Sequence, residues 1–151
     1  MKPGRICQTL LSAAIALCAL PASAQDEAAR TDEARKLAGS LVQALGGKLQ
    51  AAIKDGGPPA AIAVCASVAP QIAGELSRSN GARLTRVSLK VRNPLLGTPD
   101  AWEQNVLAAF EARLAKGEAA DKLEVAETVS EPSGKYFRYA KALPVQPVCL
   151  N

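Results

Sequence analysis

The chain has 151 residues, of which 48% are apolar, 21% charged and 3% aromatic, enough for one globular domain and too few for two ordinary ones. Its aromatics, Trp102, Phe110, Tyr136, Phe137 and Tyr139, all fall in the second half, which leaves little surface on which single-stranded nucleic acid could stack. Histidine is absent, which excludes a Ser-His-Asp or Cys-His catalytic unit and a His-ligated zinc site from this sequence.

A basic start, Met1-Lys2-Pro3-Gly4-Arg5, precedes an apolar run from Ile6 to Leu20 and then Pro21-Ala22-Ser23-Ala24. This is the pattern of a secretory leader over residues 1–24, cleaved after Ala24. The competing reading, a membrane anchor, is weaker because the run falls short of the ~20 apolar residues that cross a bilayer. Loss of Lys2 and Arg5 takes the basic count from 18 to 16 against 14 acids, so the formal charge falls from +4 to +2. No block of like charges is present, so neither nucleic-acid binding nor membrane insertion after leader cleavage is expected. Cys7 and Cys18 leave with the leader, and Cys65 and Cys149 remain. In an exported chain, an oxidising compartment makes a disulfide the default reading of two cysteines.

Residues 25–151 show no repeat, linker or composition shift and are read as a single domain. From about Asp26 to Lys54, Ala34, Leu37, Ala38, Leu41, Val42, Leu45, Leu49, Ala52 and Ile53 recur at helical spacing, which predicts an amphipathic helix. Gly46 and Gly47 mark a place where it bends, splits or admits a close backbone. Asp55-Gly56-Gly57-Pro58-Pro59 ends that helix and starts a second, reaching about Leu76. Its apolar face is Ile62, Cys65, Ala69, Ile72 and Leu76, and Pro70 predicts a kink one turn after the cysteine.

Arg83 to Arg92 alternates, with Val87, Leu89 and Val91 on one side and Arg86, Ser88, Lys90 and Arg92 on the other. This predicts a strand with one apolar and one basic face. Thr98-Pro99-Asp100 is expected to open a helix with a capping hydroxyl, a proline in the first turn and an acid near its positive end. Trp102, Val106, Phe110 and Leu114 form its buried stripe, and Gly117 follows as a C-terminal cap. Leu123 to Ser130 and Lys135 to Leu143, joined by Glu131-Pro132-Ser133-Gly134, read as an antiparallel hairpin. Helices first, then a strand, a helix and a hairpin, argue for an α+β fold in which helices pack on a small antiparallel sheet.

Ala60-Ala61-Ile62-Ala63-Val64-Cys65 followed by Ala69-Pro70, then Ser88-Leu89-Lys90-Val91-Arg92-Asn93-Pro94, Pro99-Asp100-Ala101-Trp102-Glu103, and Lys141-Ala142-Leu143-Pro144-Val145-Gln146-Pro147-Val148-Cys149-Leu150 form four ordered blocks. Together they resemble the Tll-type haem-binding domain, a family of exported c-type haem proteins with a PAS-like fold, over about Ala34 to Asn151. The resemblance implies haem c as cofactor and the bacterial periplasm as location. In the family the proline-rich tail leads into Cys-x-x-Cys-His, whose first three positions match Cys149-Leu150-Asn151. The second axial iron ligand corresponds to Cys65, a strong anionic donor when deprotonated. The sequence therefore reads as cut two residues short of a complete attachment motif, with loss of haem as the other possibility.

Each candidate residue also has a plainer reading. Cys65 on an aliphatic stripe is, without the resemblance, a buried structural thiol, and Cys149 is its disulfide partner. Arg86, Lys90 and Arg92 are a solvated basic face or, under the resemblance, candidates to pair with haem propionates. No paired carboxylates, phosphate loop or nucleophile with a base stands out, so no catalytic residue is assigned and no enzyme is expected. The function implied is an exported haem-binding domain serving as a redox or gas sensor module or a small electron carrier. A redox partner or a signalling domain would be its macromolecular counterpart. The alternative is a haem-free ligand-binding or structural domain stapled by Cys65 and Cys149.

Overall fold

The computed structural model describes residues 22–144, so most of the leader and the tail with Cys149 lie outside the described residues. Its elements in chain order are α1 (Ala22–Ala63), a π-turn (Val64–Val68), α2 (Ala69–Asn80), the one-turn α3 (Pro94–Gly97), α4 (Ala101–Ala115), a 3₁₀ turn (Ala120–Lys122), β1 (Glu124–Glu131) and β2 (Gly134–Lys141). Helices against an antiparallel hairpin give the expected α+β architecture.

α1 follows the apolar periodicity of its sequence. Leu41 is buried and Leu37, Leu45, Leu49 and Ile53 are half-buried, while Arg35, Lys36, Gln43 and Lys48 are exposed. Gly46 and Gly47 neither bend nor split it, and no backbone approaches either one. The break comes at Gly57, whose φ of 67° and ψ of −164° leave the helical region. Pro58 and Pro59 then occupy the first turn of the resumed helix, where their missing N–H groups cost nothing. A positive φ with extended ψ is open to glycine and strained for other residues, so the break is fixed by that one position.

The kink expected near Pro70 takes the form of the π-turn. Proline has no N–H to offer the Ala66 carbonyl, and its ring would press on that carbonyl in a regular helix. The backbone widens by one residue instead, with the Ala69 N–H donating to the Val64 carbonyl. The Ser67 hydroxyl donates to the Ala63 carbonyl at 2.7 Å. Pro70 then sits in the first turn of α2, and Gly81 closes that helix with φ 61°.

The strand expected over Arg83 to Arg92 does not form; among the described residues the sheet has two strands, β1 and β2. Val87 and Val91 are half-buried and Arg86, Lys90 and Arg92 exposed, so the alternation correctly reported the two faces. The backbone makes other bonds. The Ser88 hydroxyl accepts from the Lys90 N–H at 3.1 Å, the Ser88 N–H donates to the Gly97 carbonyl at 3.3 Å, and the Asn93 carboxamide accepts from the Leu95 N–H at 3.2 Å to cap α3. Such local bonds compete with a ladder and win where no third strand is at hand.

α4 starts two residues later than expected. Its cap is Asp100, which accepts from the Glu103 N–H at 2.8 Å, while the Glu103 carboxylate accepts from the Asp100 N–H at 2.8 Å. Thr98 instead donates its hydroxyl to the Pro94 carbonyl at 2.7 Å. An aspartate three residues before a glutamate makes a reciprocal cap that a hydroxyl two positions earlier cannot match. At the other end Gly117, with φ 87°, donates to Leu114, and Glu118 donates to Arg113, which satisfies the last carbonyls as expected of a glycine cap. The hairpin pairs Glu131 with Gly134 and Glu124 with Lys141, so the turn proper is Pro132-Ser133, shorter than the four residues expected.

Val106, Phe110 and Leu123 form the core of this half, with Trp102, Val125, Ala140 and Ala142 packed around it. Leu114, the last member of the α4 stripe, stays exposed. Phe110→Ala should lower stability by ~3–5 kcal/mol, a large share of what a domain of this size has; chemical denaturation of variant and wild type measures it.

Candidate functional site

An open groove of about 2980 Å³ lies between the N-terminal helices on one side and α4 and β2 on the other. It is larger than the roughly 300–1,000 Å³ of ordinary small-molecule pockets. Leu41, Leu45 and Ile53 of α1, Ala69 and Pro70 of α2, and Phe110 of α4 contribute to its walls. The helical run Gln25–Asn80 is long and apolar enough to cross a membrane by length and composition, and its most apolar 18-residue stretch has mean hydropathy 1.3 and is only 6% buried. Much of that apolar surface therefore has no protein covering it.

Cys65, on the π-turn, lines this groove and is an exposed free thiol. It is not the buried core cysteine of the plainer reading. Wide turns of this kind inside helices occur often at functional positions. Here the reason is local: the apolar run before Cys65 makes a helix and Pro70 after it forces the turn open. Arg86, Lys90 and Arg92 line the same groove from the segment after α2. All three are exposed, and none makes an ion pair within 4.0 Å among the described residues. Four of the five candidate residues thus border one groove; Cys149 lies outside the described residues. Cys65 is also the sole soft donor side chain among residues 22–144, which contain no methionine or histidine.

The groove is spanned by a polar clamp that the sequence did not reveal. Arg35 of α1 donates to both oxygens of Glu124 on β1, at 3.1 and 2.6 Å, and is itself held by Asp32 one turn earlier. The Tyr139 hydroxyl of β2 donates to Glu124 at 2.8 Å, and Lys141 Nζ lies 3.7 Å from the same carboxylate. The guanidinium and the tyrosine hydroxyl hold the Glu124 carboxyl down at about 2, against an ordinary 4.5. Burial and the adjacent carboxylate push the Tyr139 hydroxyl well above its ordinary value. The clamp joins positions 89 residues apart, which no periodicity or motif could have indicated.

A smaller depression of about 350 Å³ is lined by Asp100, Trp102, Val129, Glu131 and Arg138. Arg138 lies over the Trp102 ring, 4.3 Å from its centroid, and pairs with Asp100 at 2.5 Å, Glu131 at 3.3 Å and Glu103 at 3.7 Å. The Trp102 indole N–H donates to Glu127. Each polar group here has a partner within the protein, so the cluster fastens the start of α4 to the hairpin.

Compared with known protein families, the chain matches the Tll0287-like family over residues 13–151. The match covers nearly the whole sequence, and the chain belongs to that family. Comparison with curated proteins and with solved structures returned no match.

The depressed Glu124 carboxyl gives a signed pH dependence. A carboxyl held below its unfolded value contributes stability that is present above about 4.5 and is lost as pH falls toward about 2. Asp100 and Glu118 are also lowered, by their own caps and arginine partners, and act in the same direction. Thermal melts should fall steeply across this acid window, and E124Q should be less stable at neutral pH and lose less on acidification. Parallel melting curves for the two proteins would refute the clamp.

Proposed function

We propose that this chain is an exported haem-binding domain of the periplasm, non-enzymatic, serving as a redox or gas sensor module or a small electron carrier. The observation that carries the reading is Cys65: an exposed thiol on a widened helical turn, facing an apolar groove with unpaired cations on its border, in a chain of the Tll0287-like family. Haem needs a soft or nitrogen donor, apolar walls and positive charge for its propionates, and the residues present fit those needs. When bound, haem c supplies a one-electron couple and an iron coordination site.

In this reading Cys65 is the iron donor on the helical side. The aliphatic residues of α1 and α2 exclude water from the ring face, which disfavours competing ligands and lowers the local dielectric. Arg86, Lys90 and Arg92 pair with carboxylates at the solvent edge. Cys149 is the thioether attachment point that the family match suggests. A haem-free domain closed by a bond between Cys65 and Cys149 is the competing outcome.

The test is expression of the full chain, with its leader, in a periplasm equipped for c-type haem maturation. Haem should co-purify at low occupancy, and acidified butanone should extract most of it, because Cys149 is the single thioether position available. Cys65→Ala should shift the Soret band of whatever haem is retained. An unchanged spectrum removes Cys65 from the iron, and a colourless protein without two alkylatable thiols supports the disulfide instead. Carbon monoxide binding to the reduced protein separates a gas sensor, which must release an axial ligand, from a carrier, which keeps both.

A further inference from the structure

We propose that the segment from Arg83 to Gly97 docks the protein on an anionic lipid surface, with Leu95 and Leu96 entering the headgroup boundary and Arg83, Arg86, Lys90 and Arg92 meeting phosphates. The proposal stands on charge placement and on exposure, and it does not depend on haem.

Between Ala82 and Pro99 the sequence carries four cations and no carboxylate. All four cations are exposed, and none is paired among the described residues. Cations elsewhere in the fold are often neutralised: Arg30 by Asp26, Arg35 by Glu124, Arg113 by Glu118, and Arg138 by Asp100. Asp100, the next acid along the chain, is taken up by Arg138 and by the cap of α4. A processed chain of net charge near zero therefore still presents one locally positive face.

At the tip of that segment Leu95 is 94% exposed and Leu96 56% exposed. They are not on a frayed end. The Asn93 cap, the Thr98 hydroxyl on the Pro94 carbonyl and the Ser88 to Gly97 hydrogen bond hold the turn that presents them. Two adjacent large aliphatic side chains held in water on a short, braced helix are costly unless something covers them. A convex apolar tip among cations matches a bilayer, whose acyl boundary accepts leucine without a preformed pocket and whose anionic headgroups accept Lys and Arg. An acidic protein could match the charge, but it would also need a cavity shaped for both leucines.

The test is co-sedimentation of the exported protein, with leader removal verified by mass, using vesicles of phosphatidylglycerol mixed with phosphatidylcholine and vesicles of phosphatidylcholine alone. Binding is expected to the anionic vesicles only, and to weaken as salt is raised. L95S/L96S should bind at least ~10-fold more weakly, and each cation removed in a Gln series at the four positions should cost about fivefold. Circular dichroism should show all variants folded, because none of the six side chains is buried. Equal binding to both vesicles, or variants that bind like the wild type, overturns the proposal. Binding to polyglutamate-coated beads with none to vesicles overturns it in favour of an acidic protein partner.

Discussion

The ion pair between Arg35 and Glu124 is the constraint on which the arrangement of this protein rests. The buried residues fall into two sets: Leu41 and Ala69 in the N-terminal helices, and Val106, Phe110 and Leu123 between α4 and the hairpin. Between the sets runs an open groove instead of a shared core. The halves therefore cannot be aligned by interdigitated side chains along their length, and the contact of α1 with β2 takes that role. Arg35, Glu124 and Tyr139 form that contact. A half-exposed pair contributes about 1 kcal/mol or less in isolation, so its main effect is geometric: the two-point guanidinium grip fixes both separation and rotation.

How much of this was legible in the sequence depended on the range of the interaction concerned. Elements fixed by neighbours a few positions apart were readable: the α1 stripe, the break at Gly57 before two prolines, the bend ahead of Pro70, the glycine cap at Gly117 and the antiparallel hairpin. Where two local devices competed, the stronger one was not obvious. Thr98 looked like a cap, yet Asp100 had Glu103 at the spacing that makes a reciprocal pair. Over Arg83 to Arg92 the side-chain alternation was correctly read, but alternation says nothing about whether a neighbouring strand exists to bond the backbone. Ser88 and Asn93 satisfied part of that backbone instead.

The candidate site divides in the same way. Cys65 and the basic positions Arg86, Lys90 and Arg92 could be chosen from spacing and resemblance, and all four border one groove. The exposure of Cys65 could not be chosen so, because its stripe of aliphatic neighbours normally signals burial. Nor could the Arg138 cluster, whose partners come from the α4 cap and from β1. Charge bookkeeping over the whole chain was uninformative for a related reason, since it averages paired surfaces with an unpaired one.

The π-turn also limits how the two helical segments can vary in length. A π-turn holds one residue more than the α-turn it replaces, so α1 and α2 are out of phase by about 100° and offset by ~1.5 Å relative to an uninterrupted helix. Deleting any one residue of Val64–Val68 would let the backbone regularise while rotating everything beyond it, turning Ala69 from its buried position toward solvent. Adding a residue elsewhere in the run would not compensate, because Gly57 and Pro70 anchor the geometry at both ends. The span between those two residues behaves as a spacer of fixed count, tolerant in composition and intolerant of insertion.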